Sequence, residues 1–467
     1  MTDEPVGDGG DGVTPSDGAV ADPDLTYPDR DWGGFFKNHF GPSMLWALIS
    51  IGGSHIVLAP TLGATFGLFA VWMFLLIYVA KYGGWELGIR YNYGVGGNPI
   101  EAYRDLPGPK NWALWLTLFI FTVMYAGITA AVGMSTAALS TALLPFGPTI
   151  GPFQTIVVVY ATLIAVATGL VLFSRYSLLE KILAGFTVAL GILIVLGAIA
   201  GPPTGTIQTA FDVPDLTGPM FVVLFAAAAG FAPTGHSTSI LIGSWSMAKG
   251  EGASELREKG LNPEDEAYHD YVRAWIETGR RDFNIGYAFS FVIALSMILL
   301  AVNVLYPEPL GDEGFEIALA SLLGESFGEW SFYAMVIGAF AALYSTVITL
   351  LDGASRAASD ILPLATENED LDRERVRRIV VVWLALATVV PIAYIGALPV
   401  SLIVWIAALM AVVEVFFYPA NWYVVEKHLP EPFRPSTTWK VYYVITIGIV
   451  VLFGAMGAAA ELGIFEA

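Results

Sequence analysis

Long apolar stretches alternate with short polar segments along the chain. The stretch from Asn111 to Ser174 contains no Asp, Glu, Lys or Arg. A helix needs about 20 apolar residues to cross a bilayer, so this stretch predicts two spans, and the Pro and Gly residues at 145–152 mark the turn between them. The same pattern predicts about eleven transmembrane helices in all, at 42–60, 66–85, 112–135, 152–173, 180–200, 218–246, 284–305, 330–352, 378–396, 399–424 and 440–459.

The distribution of basic residues supports this count. With the N-terminus inside and the gaps between spans taken alternately, all 22 Lys and Arg fall on the inside or in the inner end of a helix. Lys81, for example, is assigned to the inner end of the second span. This is the distribution expected from the positive-inside rule. We therefore expect a multi-pass protein of the cell membrane, embedded in the lipid bilayer, with the N-terminus cytoplasmic and the C-terminus external.

Composition agrees with this topology and excludes several classes of protein. Apolar residues make up 55% and charged residues 14% of the 467 positions, whereas a soluble protein needs more charge to cover its surface. The absence of cysteine excludes disulfides, thiolate metal sites and cysteine nucleophiles. The sequence shows no nucleotide-binding loop or nucleophile arrangement, so we expect neither an enzyme nor a cofactor, and no nucleic-acid partner.

The N-terminal region differs from the rest. Residues 1–37 are rich in Gly, Asp and Pro, which predicts a disordered acidic cytoplasmic tail ahead of a transporter domain at 38–467. No signal-peptide pattern is visible there. The net charge of −20 suits a high-salt cytoplasm and predicts a halophilic source.

Two of the predicted helices carry a break in their middle. The first contains Gly52-Gly53-Ser54-His55 and the sixth contains Gly230 to Ser237 with Pro233 between them. Pro lacks the N–H that a helix needs, and unwound backbone in a membrane must be buried in protein or line a polar cavity. The breaks lie five helices apart, which predicts an inverted five-plus-five repeat, with repeat one at 42–200, repeat two at 218–424 and an extra helix at 440–459. The alternative is that these are ordinary small-residue packing faces, but a histidine in each break favours a site.

The segment from Gly41 to Gly67 resembles the first helix of the Nramp divalent-metal transporters. Similar motifs follow at 86–90, 282–287 and 344–353, and the last two are closer to a divergent Nramp-related branch. The resemblance covers roughly residues 38–425. It implies an all-α fold of the LeuT/APC type and a substrate site between the first and sixth helices.

The metal-binding Asp, Asn and Met of that family are absent from this sequence. The aligned positions in the first break are Gly52, Gly53, Ser54 and His55, and those in the sixth helix are Ala232, Pro233, Thr234 and Gly235. The family's acidic proton-path residues in the third helix have no counterpart either.

The candidate substrate-binding residues are those that remain at the two breaks: Gly52, Ser54, His55, Ala229, Ala232, Thr234, Gly235, His236 and Ser237. The imidazoles of His55 and His236 could together hold a transition metal. The alternative for each histidine is a single hydrogen bond to a neighbouring helix.

Further polar groups lie within the predicted spans. Ser345, Thr346 and Thr349 share a helix and are candidates for a coupling-ion site, the alternative being hydrogen bonds back to the helix carbonyls. Glu86 with Arg90 and Asp352 with Arg356 have the spacing of ion pairs along a helix. Glu414 in the tenth helix either carries protons or pairs within the bundle.

These features predict a secondary transporter that works by alternating access around a site at mid-membrane. By resemblance, the leading substrate is a cation such as a divalent metal ion. The alternatives are a small organic solute such as an amino acid, coupled to sodium or protons, and a non-transporting sensor. A sensor would be expected to carry a soluble output domain, which the sequence does not show. The oligomeric state stays open.

Overall fold

The computed structural model describes residues 25–143, 152–173, 177–312, 314–395 and 398–464. The regular secondary structure of this part of the chain is helical, without a strand, which confirms the all-α prediction. Most of the predicted acidic tail, the turn at 145–151 and the C-terminal end lie outside the described residues. The division into two repeats stays a prediction.

Fourteen helices form the bundle in the described ranges. They are α1 (Pro42–Ser50), α2 (Ala59–Phe66), α3 (Phe69–Tyr91), α4 (Trp112–Phe119), α5 (Tyr125–Leu143), α6 (Pro152–Leu172), α7 (Ser177–Ala200), α8 (Pro219–Phe231), α9 (Ser239–Ala248), α10 (His269–Val304), α11 (Trp330–Thr366), α12 (Arg373–Ile395), α13 (Pro399–His428) and α14 (Thr437–Glu461). Short helical segments lie before and between them, among them Trp32–Gly34, Pro99–Ala102, Ser254–Glu258, Phe315–Ser321 and Gly324–Phe327.

Every predicted span has helix at its position. Within the described ranges, eight helical stretches are long and apolar enough to cross a membrane. The three other predicted spans correspond to α1 with α2, to α3 and to α12. One assignment is wrong: α3 continues to Tyr91, so Lys81 lies in the middle of this helix and not at its inner end. The hydrophobic stretch ends before the helix does, because Glu86 and Arg90 lie in its last two turns and pair with each other at 2.6 Å.

The two breaks differ in how far they depart from a helix. Between α1 and α2, Ile51 and Gly52 form a turn and Ser54–Leu58 is π-helical, so the chain stays wound. Between α8 and α9, the backbone is extended at Ala232 and again at Gly235 before a short 3₁₀ turn at His236–Thr238. Pro233 explains this stronger break, because it cannot donate a hydrogen bond to the carbonyl of Ala229 four residues earlier.

Close packing brings the two breaks together in the interior. Helix α2 lies against α10, where a Cβ atom on Gly63 would be 2.7 Å from the carbonyl oxygen of Ile298. Helix α8 packs against α13 and α14, and a Cβ atom on Gly230 would collide with the Ala407 carbonyl. The Ser54 hydroxyl in the first break lies 3.2 Å from the Pro233 carbonyl oxygen in the second. The breaks therefore form one site.

Candidate functional site

A cavity of about 70 Å³ lies between the two breaks. Of the predicted binding residues, Ser54, Thr234, Gly235 and Ser237 line it, and so does Thr346 from α11. The other lining residues are Ser50, Gly53, Tyr125, Ile128, Val132, Gly230, Phe231, Pro233, Thr238, Leu350 and Met410. Gly52, His55, Ala229, Ala232 and His236 are not among the residues that line this cavity.

The polar groups of the cavity are hydroxyls and backbone groups. The Trp46 indole N–H donates to the Thr234 hydroxyl at 3.0 Å, and the Thr238 hydroxyl lies 2.9 Å from the same oxygen. The hydroxyls of Ser237 and Tyr125 are 3.1 Å apart. None of the described lining residues carries a charged side chain. The cavity therefore offers neutral oxygen ligands.

His55 is buried among the hydroxyls of its neighbour Ser54 and of two residues on other helices. Its Nδ1 lies 2.8 Å from the Ser54 hydroxyl, and its Nε2 lies 3.1 Å from the Tyr78 hydroxyl and 2.9 Å from both the carbonyl and the hydroxyl oxygen of Ser290. These contacts satisfy both ring nitrogens. They tie the first break to α3 and α10.

His236 begins the 3₁₀ turn in the second break. Its Nε2 donates to the backbone carbonyl of Lys81 at 2.9 Å, and its Nδ1 lies 2.6 Å from the Glu414 carboxylate. The same carboxylate oxygen accepts the backbone N–H of His236 at 2.5 Å. Glu414 thus pairs with His236 inside the bundle, which is the second of the two alternatives that the sequence analysis gave for it.

The two histidines therefore have different partners and are not brought into one group. No cluster of three or more His, Cys, Asp or Glu with the arrangement of a metal site occurs among the described residues. Metal binding by His55 and His236 stays a prediction.

Lys81, which the sequence analysis placed at the inner end of the second span, contacts the second break instead. Its side chain is 1% exposed, and its Nζ donates to the carbonyl oxygens of Ala229 at 2.9 Å and Thr234 at 2.7 Å. Both acceptors belong to the second break. A charged residue four positions before the end of the predicted span was the only available signal, and its partners lie about 150 residues away in the sequence.

A second, larger cavity of about 590 Å³ lies beside α11 and α12. Ser345 and Thr349 line it, whereas Thr346 faces the cavity between the breaks. All three hydroxyls donate to helix carbonyls at 2.9 Å, the alternative that the sequence left open. Asp352 lines this cavity too, and it pairs with Arg356 at 2.7 Å, as predicted, and with Arg377 at 3.1 Å. A coupling ion at the three hydroxyls stays a prediction.

Two interrupted helices that meet at a polar cavity inside a multi-pass helical bundle define a secondary transporter of the five-plus-five type. The chain matches the sequence model of the Nramp family, described as natural resistance-associated macrophage protein-like, over residues 43–459. The chain therefore belongs to the Nramp family, as the motifs in its first helix predicted.

Individual proteins are similar to this chain over most of its length. An uncharacterised protein of Pasteurella multocida is 25% identical over 367 residues, which cover 76% of this chain and 77% of that protein. Crystal structures of a manganese transporter from Eremococcus coleocola superpose with a TM-score of 0.66 at 14% identity, over 96% of this chain and 92% of that chain. One of them is a complex with an aromatic bis-isothiourea substituted compound. This structural similarity shows the shared fold.

Proposed function

We propose that this carrier moves a small cation of the divalent-metal class across the cell membrane by alternating access, with its N-terminus in the cytoplasm. The substrate site is the cavity between α1–α2 and α8–α9. Family membership and the fold shared with a manganese transporter support the substrate class.

The size and chemistry of the cavity support a cation. Its volume of about 70 Å³ is that of roughly two water molecules in the liquid, so it suits a small ion. Hard divalent cations take oxygen ligands and keep part of their water shell. The hydroxyls of Ser54, Thr234 and Ser237 supply such ligands from both breaks.

A divalent ion also needs negative charge nearby, because desolvating it in exchange for neutral ligands alone is too costly. Glu414 lies directly behind the cavity, next to Gly235. A Cβ atom at position 235 would collide with the Glu414 carboxylate, so the glycine lets this charge approach the site. This position of Glu414 is the single observation that carries the proposal, because it replaces the anion that Gly52 cannot provide.

The same contact argues against the organic-solute alternative. A substrate carboxylate would need the unpaired N–H groups at the start of the half-helix after the break. The backbone N–H of His236 at that point is already bound by Glu414 at 2.5 Å. The chain's own carboxylate thus takes one of the N–H groups that an amino-acid carboxylate would need.

Calorimetry with manganese chloride on purified protein tests the proposal. We expect wild-type protein to bind manganese with an affinity weaker than micromolar, because the lining is neutral, and Glu414→Gln to bind at least tenfold more weakly. Glu329→Gln serves as the matched control, since Glu329 is exposed at the start of α11. Equal manganese affinity in the wild type and Glu414→Gln would refute the assigned role of Glu414. Binding of an amino acid but not of manganese would refute the substrate class.

A further inference from the structure

The ammonium group of Lys81 occupies a position that suits a free cation. It is buried between α3 and the second break, and its two hydrogen bonds go to backbone carbonyls, those of Ala229 and Thr234. The distances of 2.9 and 2.7 Å are those of charge-assisted hydrogen bonds.

The sequence explains why these two carbonyl oxygens have no backbone N–H partner. Ala229 would bond to the N–H four residues later, but that residue is Pro233. Thr234 would bond to the N–H of Thr238, which instead donates to the Gly235 carbonyl at 3.0 Å. Ala229 also lies in the last turn of α8, where the helix dipole attracts positive charge. The break thus creates a pair of acceptors that needs a cationic donor.

Backbone carbonyls of this kind bind inorganic ions in other membrane proteins. Unwound segments and half-helix C-terminal ends coordinate sodium in transporters, and rings of carbonyls coordinate potassium in channels.

We propose that the carbonyl oxygens of Ala229 and Thr234 form a cation site that the chain fills with its own Lys81 ammonium group. Thr234 also lines the cavity between the breaks, so the ammonium group lies at the edge of that cavity. The proposal concerns only the two carbonyl oxygens and does not depend on which substrate the cavity carries. Two consequences follow. The second break needs no bound ion to keep its shape, and removal of the ammonium opens a site for a small inorganic cation.

Thermal unfolding of purified protein in detergent tests this, with tryptophan fluorescence as the readout. Wild type, Lys81→Ala and Lys81→Met are each compared in sodium, potassium, manganese and N-methylglucamine chloride at constant ionic strength. Lys249→Ala is the control, because Lys249 is exposed beyond the end of α9 and pairs with Glu251.

We expect both Lys81 variants to unfold several degrees below the wild type in N-methylglucamine chloride, since each leaves two carbonyls unpaired. Lys81→Ala leaves space for an ion and regains most of this loss in at least one of the inorganic salts. Lys81→Met fills the space without charge and does not recover. Wild type and Lys249→Ala respond equally little to the choice of salt.

Three results would overturn the proposal. One is a Lys81→Met variant as stable as the wild type, because the two carbonyls would then not need a cationic donor. This comparison can be made even if Lys81→Ala does not fold. Another is a folded Lys81→Ala variant that no cation stabilises. The third is the same stabilisation by salt in the wild type as in Lys81→Ala. Failure of manganese to bind the wild type would contradict the proposed substrate and leave this test unaffected.

Discussion

Replacement of His55 by alanine should destabilise the protein while leaving its substrate site in place. The imidazole is fully buried and contacts Ser54, Tyr78 and Ser290, and it does not line the cavity. Its role in the structure is to join the first break to α3 and α10. We therefore expect the loss to appear in the free energy of unfolding rather than in substrate binding.

The magnitude follows from two contributions. About two net hydrogen bonds are lost, each worth roughly 0.6–1.5 kcal/mol in a membrane protein. Removing the ring leaves a cavity that costs about 1–2 kcal/mol. Together these give a loss of about 2–5 kcal/mol in the free energy of unfolding. The Tyr78 and Ser290 hydroxyls limit the loss, because they remain hydrogen-bonded to each other at 2.9 Å.

Unfolding by increasing SDS fraction in mixed micelles, followed by circular dichroism, measures this loss. His428→Ala is the matched control, since His428 is 29% exposed and pairs with Asp105 near the surface, where an ion pair is worth about 1 kcal/mol or less. Manganese affinity is measured on the same samples. The reasoning would be refuted by a His55→Ala variant with wild-type stability and no manganese binding, because the imidazole would then be a ligand.

Two further predictions concern the site and the topology. Gly235→Ala should weaken manganese binding about as much as Glu414→Gln, because the added Cβ atom displaces the Glu414 carboxylate; calorimetry showing unchanged affinity would contradict this. Since the chain has no native cysteine, single cysteines report its topology directly. A cysteine at Glu308 should react with an impermeant thiol reagent in intact cells and one at Arg375 should not, and the reverse pattern would overturn the assigned orientation.

The positions of the helices could be predicted from the sequence because the bilayer imposes a length and a charge distribution on each span. The break in the sixth span was predictable for a local reason, the presence of Pro233. The milder shape of the first break was not, since glycines permit an unwound segment without requiring one. There the chain keeps helical turns through Ser54–Leu58.

The direction in which each polar side chain points could not be predicted. Rotation of a helix about its axis is set by packing against neighbours that are distant in sequence. His55 is bound by Ser290, 235 residues later, and Lys81 by Thr234, 153 residues later. A pattern that identifies two histidines and a lysine in membrane helices therefore does not tell which of them faces the cavity.

The most direct test of the central claim is uptake of manganese into proteoliposomes that contain the purified protein. We expect uptake well above that of protein-free liposomes, reduced at least tenfold in Glu414→Gln and unchanged in the exposed control Glu329→Gln. Uptake no greater than in protein-free liposomes, together with sodium-driven uptake of an amino acid by the same preparation, would contradict the assignment of this carrier to divalent cations.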